Sequence, residues 1–353
     1  MRRVICFCVL ALLCALPGLG AELTVPEMDQ VWEAAEGYGV TGETSLDQGL
    51  SALLNSAADQ AGGLFQASIS TAVKLVVVAL LCALAESAGA GEGEGLQAVT
   101  IAGALAITAL TMTDMDTMIG LGRDTLEKME GFSELLLPAV AVLTAATGGI
   151  TGAAARQSAT VLFSQLLISA MDRLLVPLVY AFVAVSCAHA AVGNPGLKKV
   201  ADLLKNMITF LLTALLLAFV GYLTASGAIA GSVDAAAVKA AKLAISRAIP
   251  VVGGILADAS ESVLAGAGAL RSAVGAAGMI VVLAICLTPF LQLALQYLVY
   301  KAAAALCATV AQPKLSGLID AIGSAFGLVL GMTGAGALVL LVSLVSAVKA
   351  VIP

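Results

Sequence analysis

Apolar residues fill this chain in long blocks separated by short polar breaks. The first block sets the frame. Arg2 and Arg3 precede an apolar run from Val4 to Leu16, and Pro17, Gly18, Gly20 and Ala21 close it with small residues. A basic start, an apolar core and a small-residue exit form the pattern of a secretory signal peptide, residues 1–21, with cleavage after Gly20 or Ala21. An uncleaved signal anchor is the alternative. Under both readings the chain from Glu22 onward starts on the far side of a membrane.

A membrane-spanning helix needs about 20 apolar residues. Eight windows come close to that length: 67–85, 96–113, 135–150, 157–171, 174–192, 207–229, 274–299 and 322–348. The third and fourth are short and also read as one interrupted element. In lipid every backbone polar group must be paired within its own segment, so these blocks are helices and not open strands. The predicted fold class is all-α, a polytopic membrane helix bundle of six to eight transmembrane helices after a cleavable signal peptide. The chain divides into 22–66, an acidic extracytoplasmic segment; 67–230, an N-terminal transmembrane bundle; 231–273, an amphipathic segment; and 274–353, the C-terminal transmembrane helices.

Composition agrees with lipid as the solvent. Apolar residues make up 60% of the chain, charged residues 11%, and the mean hydropathy is +1.05. A soluble domain carries about 25% charged residues. The net charge of −6 is unevenly spread. No Lys or Arg lies between Arg3 and Lys74, whereas Glu22, Glu27, Asp29, Glu33, Glu36, Glu43, Asp47 and Asp59 are acidic. A cation-free segment translocates readily. The same balance excludes nucleic acid as a partner, because phosphates require a basic footprint. With an external N-terminus and eight spans, the loop 193–206, with Lys198, Lys199 and Lys205, falls inside, and 230–273 falls outside despite its own basic residues. Cys82, Cys187, Cys286 and Cys307 are isolated in or beside apolar blocks, without a C-x-x-C, and read as small packing residues.

Residues 231–275 are neither lipid-like nor soluble-like. Between Val233 and Ile249, Val238, Ala241, Ile245 and Ala248 share one helical face, and Lys239, Lys242 and Ser246 lie on another. That spacing predicts an interfacial amphipathic helix. Pro250 ends it, and Gly253–Gly254 permits a sharp turn. Asp258, Glu261 and Ser262 then recur at i, i+3, i+4 on one face. Ionisable groups at membrane depth are costly and face a water-filled path or a partner. Two readings stand: a re-entrant element contacting a polar path or partner, and a solvated loop at headgroup level.

Other polar positions carry less. Lys74, near a helix end, snorkels to the interface. Asp114 and Asp116, two residues apart, do not face each other on a helix and are expected at a loop end. Gly323, Gly327 and Gly331 recur every four residues in the last block, followed by Gly334 and Gly336. Small residues at that interval let helix backbones approach closely, either within one chain or between chains. Pro138, Pro177 and Pro289 fall inside blocks and predict kinks. Gly89 to Gly95 is a flexible turn without the Lys-Ser/Thr ending of a phosphate loop. His189 is the single histidine, which excludes H-E-x-x-H, and no G-x-S-x-G accompanies it. No catalytic, cofactor or metal residue is assigned.

Several stretches resemble the stage III sporulation protein AE family of endospore-forming bacteria. They are Ala201–Asp–Leu–Leu–Lys–Asn206, Ile249–Pro–Val–Val–Gly–Gly–Ile–Leu–Ala–Asp–Ala259 on to Leu270, Leu287 to Pro313 with Tyr300–Lys–Ala–Ala–Ala, and Leu318–Ile–Asp–Ala–Ile322. The signal peptide, the acidic segment and the order of spans match as well. The resemblance implies a membrane component of a channel complex joining mother cell and forespore. It also implies other stage III sporulation membrane proteins and a cytoplasmic secretion-type ATPase as partners, and a place in the outer forespore membrane with 22–66 between the two membranes. The family has no established catalytic residues to transfer. A permease-like protein moving a small solute, with Asp258 and Glu261 near its path, is the alternative.

Overall fold

A computed structural model of the chain describes residues 66, 68–87, 94–146, 151–225 and 273–351. The signal peptide, all of 22–65, and 231–273 apart from its last residue lie outside the described residues, and with them Asp258, Glu261 and Ser262.

The described elements are helices: α1 (Ser68–Ser87), α2 (Glu94–Ala146), α3 (Thr151–Ala170), α4 (Val176–Val192), α5 (Pro195–Ala225), α6 (Ala273–Ala308) and α7 (Pro313–Val351). Six stretches among them are long and apolar enough to cross a membrane: Ser68–Ser87, Ala98–Glu134, Leu162–Val192, Pro195–Thr224, Gly278–Ala308 and Pro313–Leu344. The chain is an all-α polytopic bundle.

Two expectations about continuity are corrected. The window 96–113 and the part of 135–150 that is described, 135–146, belong to one 53-residue helix, α2. At 1.5 Å per residue it is about 80 Å long, far more than the hydrocarbon thickness of about 30 Å. Most of the charges that divide the two windows lie outside the packed stripe, and Asp114, which turns inward, is hydrogen-bonded by α6, so the helix continues through them. Met115, Ile119, Leu126, Met129 and Phe132 are buried. Asp116, Arg123, Asp124 and Glu127 face outward. Asp114 and Asp116 therefore sit inside a helix, not at a loop end. Similarly, 157–171 and 174–192 join as α3 and α4 through a single π turn, Met171–Leu175. The turn lies just before Pro177. Proline lacks an N–H and crowds the carbonyl four residues back, and a wider turn accommodates both without ending the helix.

The six spans alternate in direction, α3 and α4 running together as one. Thr100 of α2 donates to Gln312 Oε1 at 2.8 Å, beside the start of α7. A Cβ on Gly103 would lie 2.6 Å from Cys82 Sγ of α1 and 3.1 Å from Leu315 of α7. One on Gly193, in the α4–α5 turn, would lie 2.7 Å from Lys314 Nζ. The end of α1, the start of α2 and the α4–α5 and α6–α7 turns thus share one end of the bundle. The ends of α5 and α6 that flank 226–272 lie at the other.

The bundle is built around α7. In its apolar window 94% of residues are buried, against 17% in α1. Helices α2, α3, α4, α5 and α6 all pack on it. Its Phe326 meets the buried Tyr300 of α6 edge-on, with ring centroids 5.0 Å apart. A helix apolar on all sides belongs in the middle of a bundle.

Candidate functional site: polar groups within the bundle

Four polar residues from three helices meet between α1, α2 and α6. Ser68 donates its hydroxyl to Gln296 Oε1 at 2.6 Å, and Gln296 Nε2 donates to Asp114 Oδ2 at 3.0 Å. Tyr300 donates to the same Asp114 oxygen at 2.8 Å. Gln296 and Tyr300 are one helical turn apart on α6, so both reach the same carboxylate. Ser68, Gln296 and Tyr300 are buried. Hydrogen bonds to a charged acceptor in a low-dielectric interior are strong, and this arrangement fixes α1, α2 and α6 in register.

A second cluster lies beside α7. Lys301 Nζ contacts Asp320 Oδ1 at 2.6 Å, the Asp320 carbonyl at 3.2 Å and Ser324 Oγ at 2.8 Å. Lys205 Nζ of α5 reaches the same Ser324 Oγ at 3.2 Å. Ser324 thereby ties α5, α6 and α7 together. At the π turn, Asp172 lies 3.5 Å from Arg123 Nε, which also bonds Glu127 at 3.0 Å. The wider turn directs Asp172 toward α2.

Gly323 and Gly327 face α6. A Cβ on Gly323 would lie 3.1 Å from Tyr300 Cβ and 3.5 Å from the Lys301 nitrogen, and one on Gly327 would lie 2.9 Å from Cδ2 and Cε2 of Tyr297. Gly331, a turn further on, is buried. Gly336 faces Leu126 and Met129 of α2. The glycine face is therefore occupied inside this chain, against α6 and then α2. Asp258, Glu261 and Ser262, expected near a polar path or partner, lie outside the described residues.

His189 has a local role. Its Nδ1 lies 2.9 Å from the Asn194 carbonyl, where α4 ends on Gly193 with φ +74°. Gly193 donates back to the His189 carbonyl at 2.7 Å, and Asn194 Oδ1 accepts from Gly196 N–H at 2.8 Å. Glycine suits this left-handed position because it has no Cβ to clash. Lys74 is exposed on α1. Among the described residues no three His, Cys, Asp or Glu side chains gather as a metal would require.

Outside the Asp114 network, Thr108, Met112, Asp116, Thr117, Tyr180 and Cys187 help to line a cavity of about 610 Å³ between α2 and α4. Sequence reading missed the roles of Gln296, Tyr300 and Lys301. The available signal was two glutamines, Gln292 and Gln296, inside the apolar block 274–299 and a lysine, Lys301, just beyond it.

These features define a polytopic α-helical membrane protein whose polar interior joins helices to one another. The family model for stage III sporulation protein AE matches residues 40–350, and the chain belongs to that family. It is 23% identical over 202 residues to the Bacillus subtilis (strain 168) protein named stage III sporulation protein AE, covering 57% of this chain and 51% of that one. The match thus spans about half the length of that curated relative. No solved structure matches.

Proposed function

We propose that this chain is an integral membrane component of the channel complex linking mother cell and forespore, required for late forespore development. The family match across residues 40–350 carries this reading. The fold supports a structural part in that complex. The middle of the bundle is filled by α7, and the buried polar groups lock helices together. A conduit would then form between this chain and its partners. Those partners are other stage III sporulation membrane proteins and a cytoplasmic secretion-type ATPase. The chain sits in the outer forespore membrane, with 22–66 between the membranes and with Asp258, Glu261 and Ser262 available to a partner. It carries out no catalytic step.

A fluorescent fusion in sporulating cells of the native host tests the placement. Signal confined to the membrane around the engulfed forespore is expected. Even signal over the whole mother-cell envelope, with no enrichment there, would contradict it.

A further inference from the structure

Asp116 differs from its neighbour Asp114 on α2. Asp114, half a turn earlier, is held by Tyr300 and Gln296. Asp116 points the other way, is exposed, and among the described residues has no hydrogen bond or ion pair. It shares the α2–α4 cavity with Tyr180. Tyr180 lies about 18 Å of helical rise from Val192 at the end of α4, well inside a hydrocarbon layer about 30 Å thick. The surroundings are those of a lipid-facing surface: Met112 is 62% exposed and Tyr180 41%. An unpaired carboxylate at that depth is costly.

The surface around it suits a close-packed helix. Thr113, Asp116, Thr117 and Gly120 recur at three- and four-residue spacing on the outward face of α2. A Cβ on Gly120 would meet nothing within 4 Å, so that spot is open. Small and hydroxyl-bearing residues at such spacing admit another helix backbone, and polar side chains then hold it. The cavity, about 610 Å³, has room for several side chains of an approaching helix.

We propose that the α2–α4 groove is the docking site for a transmembrane helix of another protein, one that places a Lys or Arg at mid-membrane depth against Asp116. Charge selects this occupant. A basic side chain neutralises the carboxylate, an apolar helix leaves it unpaired, and an anionic lipid headgroup is repelled by it. In a second copy the residues that line the same groove include no Lys or Arg to meet it. The inference rests on the assembly role proposed above and supplies the chemistry of one partner.

The test is photo-cross-linking in sporulating cells of the native host, with the full chain carrying a photoreactive residue at Thr117. The expected product joins it to a different protein, at a membrane helix containing Lys or Arg. Asp116→Lys should lower the yield about tenfold. Changing the partner's basic residue to Asp should restore it in the Asp116→Lys background. Asp116 is exposed, so protein level and thermal stability should be unchanged. Asp114→Ala is the contrast, with lower stability and retained cross-linking. Capture of lipid only, of a second copy, or of a helix without a basic residue would overturn the proposal, as would a yield insensitive to Asp116→Lys. The two readings fail separately. Normal spores from a deletion strain would remove the developmental role and leave the cross-link, whereas a stalled deletion strain without the cross-link would remove the groove alone.

Discussion

Tyr300 donates its hydroxyl to Asp114 Oδ2 at 2.8 Å, joining α6 to α2 across the interior of the bundle. Gln296 donates to the same oxygen at 3.0 Å. Removing one donor leaves this half-buried acceptor partly unsatisfied, which costs about 1–3 kcal/mol. Tyr300→Phe should therefore lower the unfolding temperature of the detergent-purified protein by several degrees. Asp114→Asn, which keeps an acceptor oxygen, should be milder than Asp114→Ala. An unfolding temperature unchanged in Tyr300→Phe would contradict a stabilising role for this bond.

Gly327 and Gly120 should respond oppositely to enlargement. A Cβ on Gly327 already falls 2.9 Å from the Tyr297 ring, whereas one on Gly120 meets nothing. Gly327→Leu should force α6 from α7 at a cost of about 1–3 kcal/mol or more and reduce the amount of folded protein. Gly120→Ala should be neutral or stabilising by up to about 1 kcal/mol. Membrane levels and thermal unfolding of both variants check this. Equal behaviour would mean that α6 and α7 are not in close contact at this point.

The α4–α5 turn makes a sharper distinction. His189 contacts the Asn194 carbonyl at 2.9 Å, beside Gly193 in the left-handed region. His189→Ala should cost about 1 kcal/mol and leave sporulation intact. Gly193→Ala should cost about 1–2 kcal/mol from backbone conformation, before crowding of Lys314 is added. Spore counts at matched protein level are the measurement. If His189→Ala abolished sporulation at normal protein level, a chemical role for the histidine would replace this account.

The apolar blocks were legible because a helix in lipid must be apolar over its whole length, and the all-α class follows from that alone. Continuity was not. Hydropathy falls wherever charges gather, yet Arg123 and Glu127 on the outer face of α2 leave its helix intact. The four-residue glycine rhythm at Gly323 and Gly327 could be read directly, but Tyr297, the residue against Gly327, belongs to another helix. The Asp114 network was hidden for the same reason. Its donors lie 182 and 186 residues further along the chain, and no local pattern joins them. Asp116 reads like Asp114 in sequence, and only the fold turns one inward and the other toward the α2–α4 groove.

The central claim is a developmental one, and deletion in the native host with a late forespore-specific reporter tests it most directly. The account predicts that engulfment finishes and that the forespore then stalls and shrinks with the late reporter silent, a defect reversed by the intact gene. Normal reporter activity and normal spores in the deletion strain would contradict it.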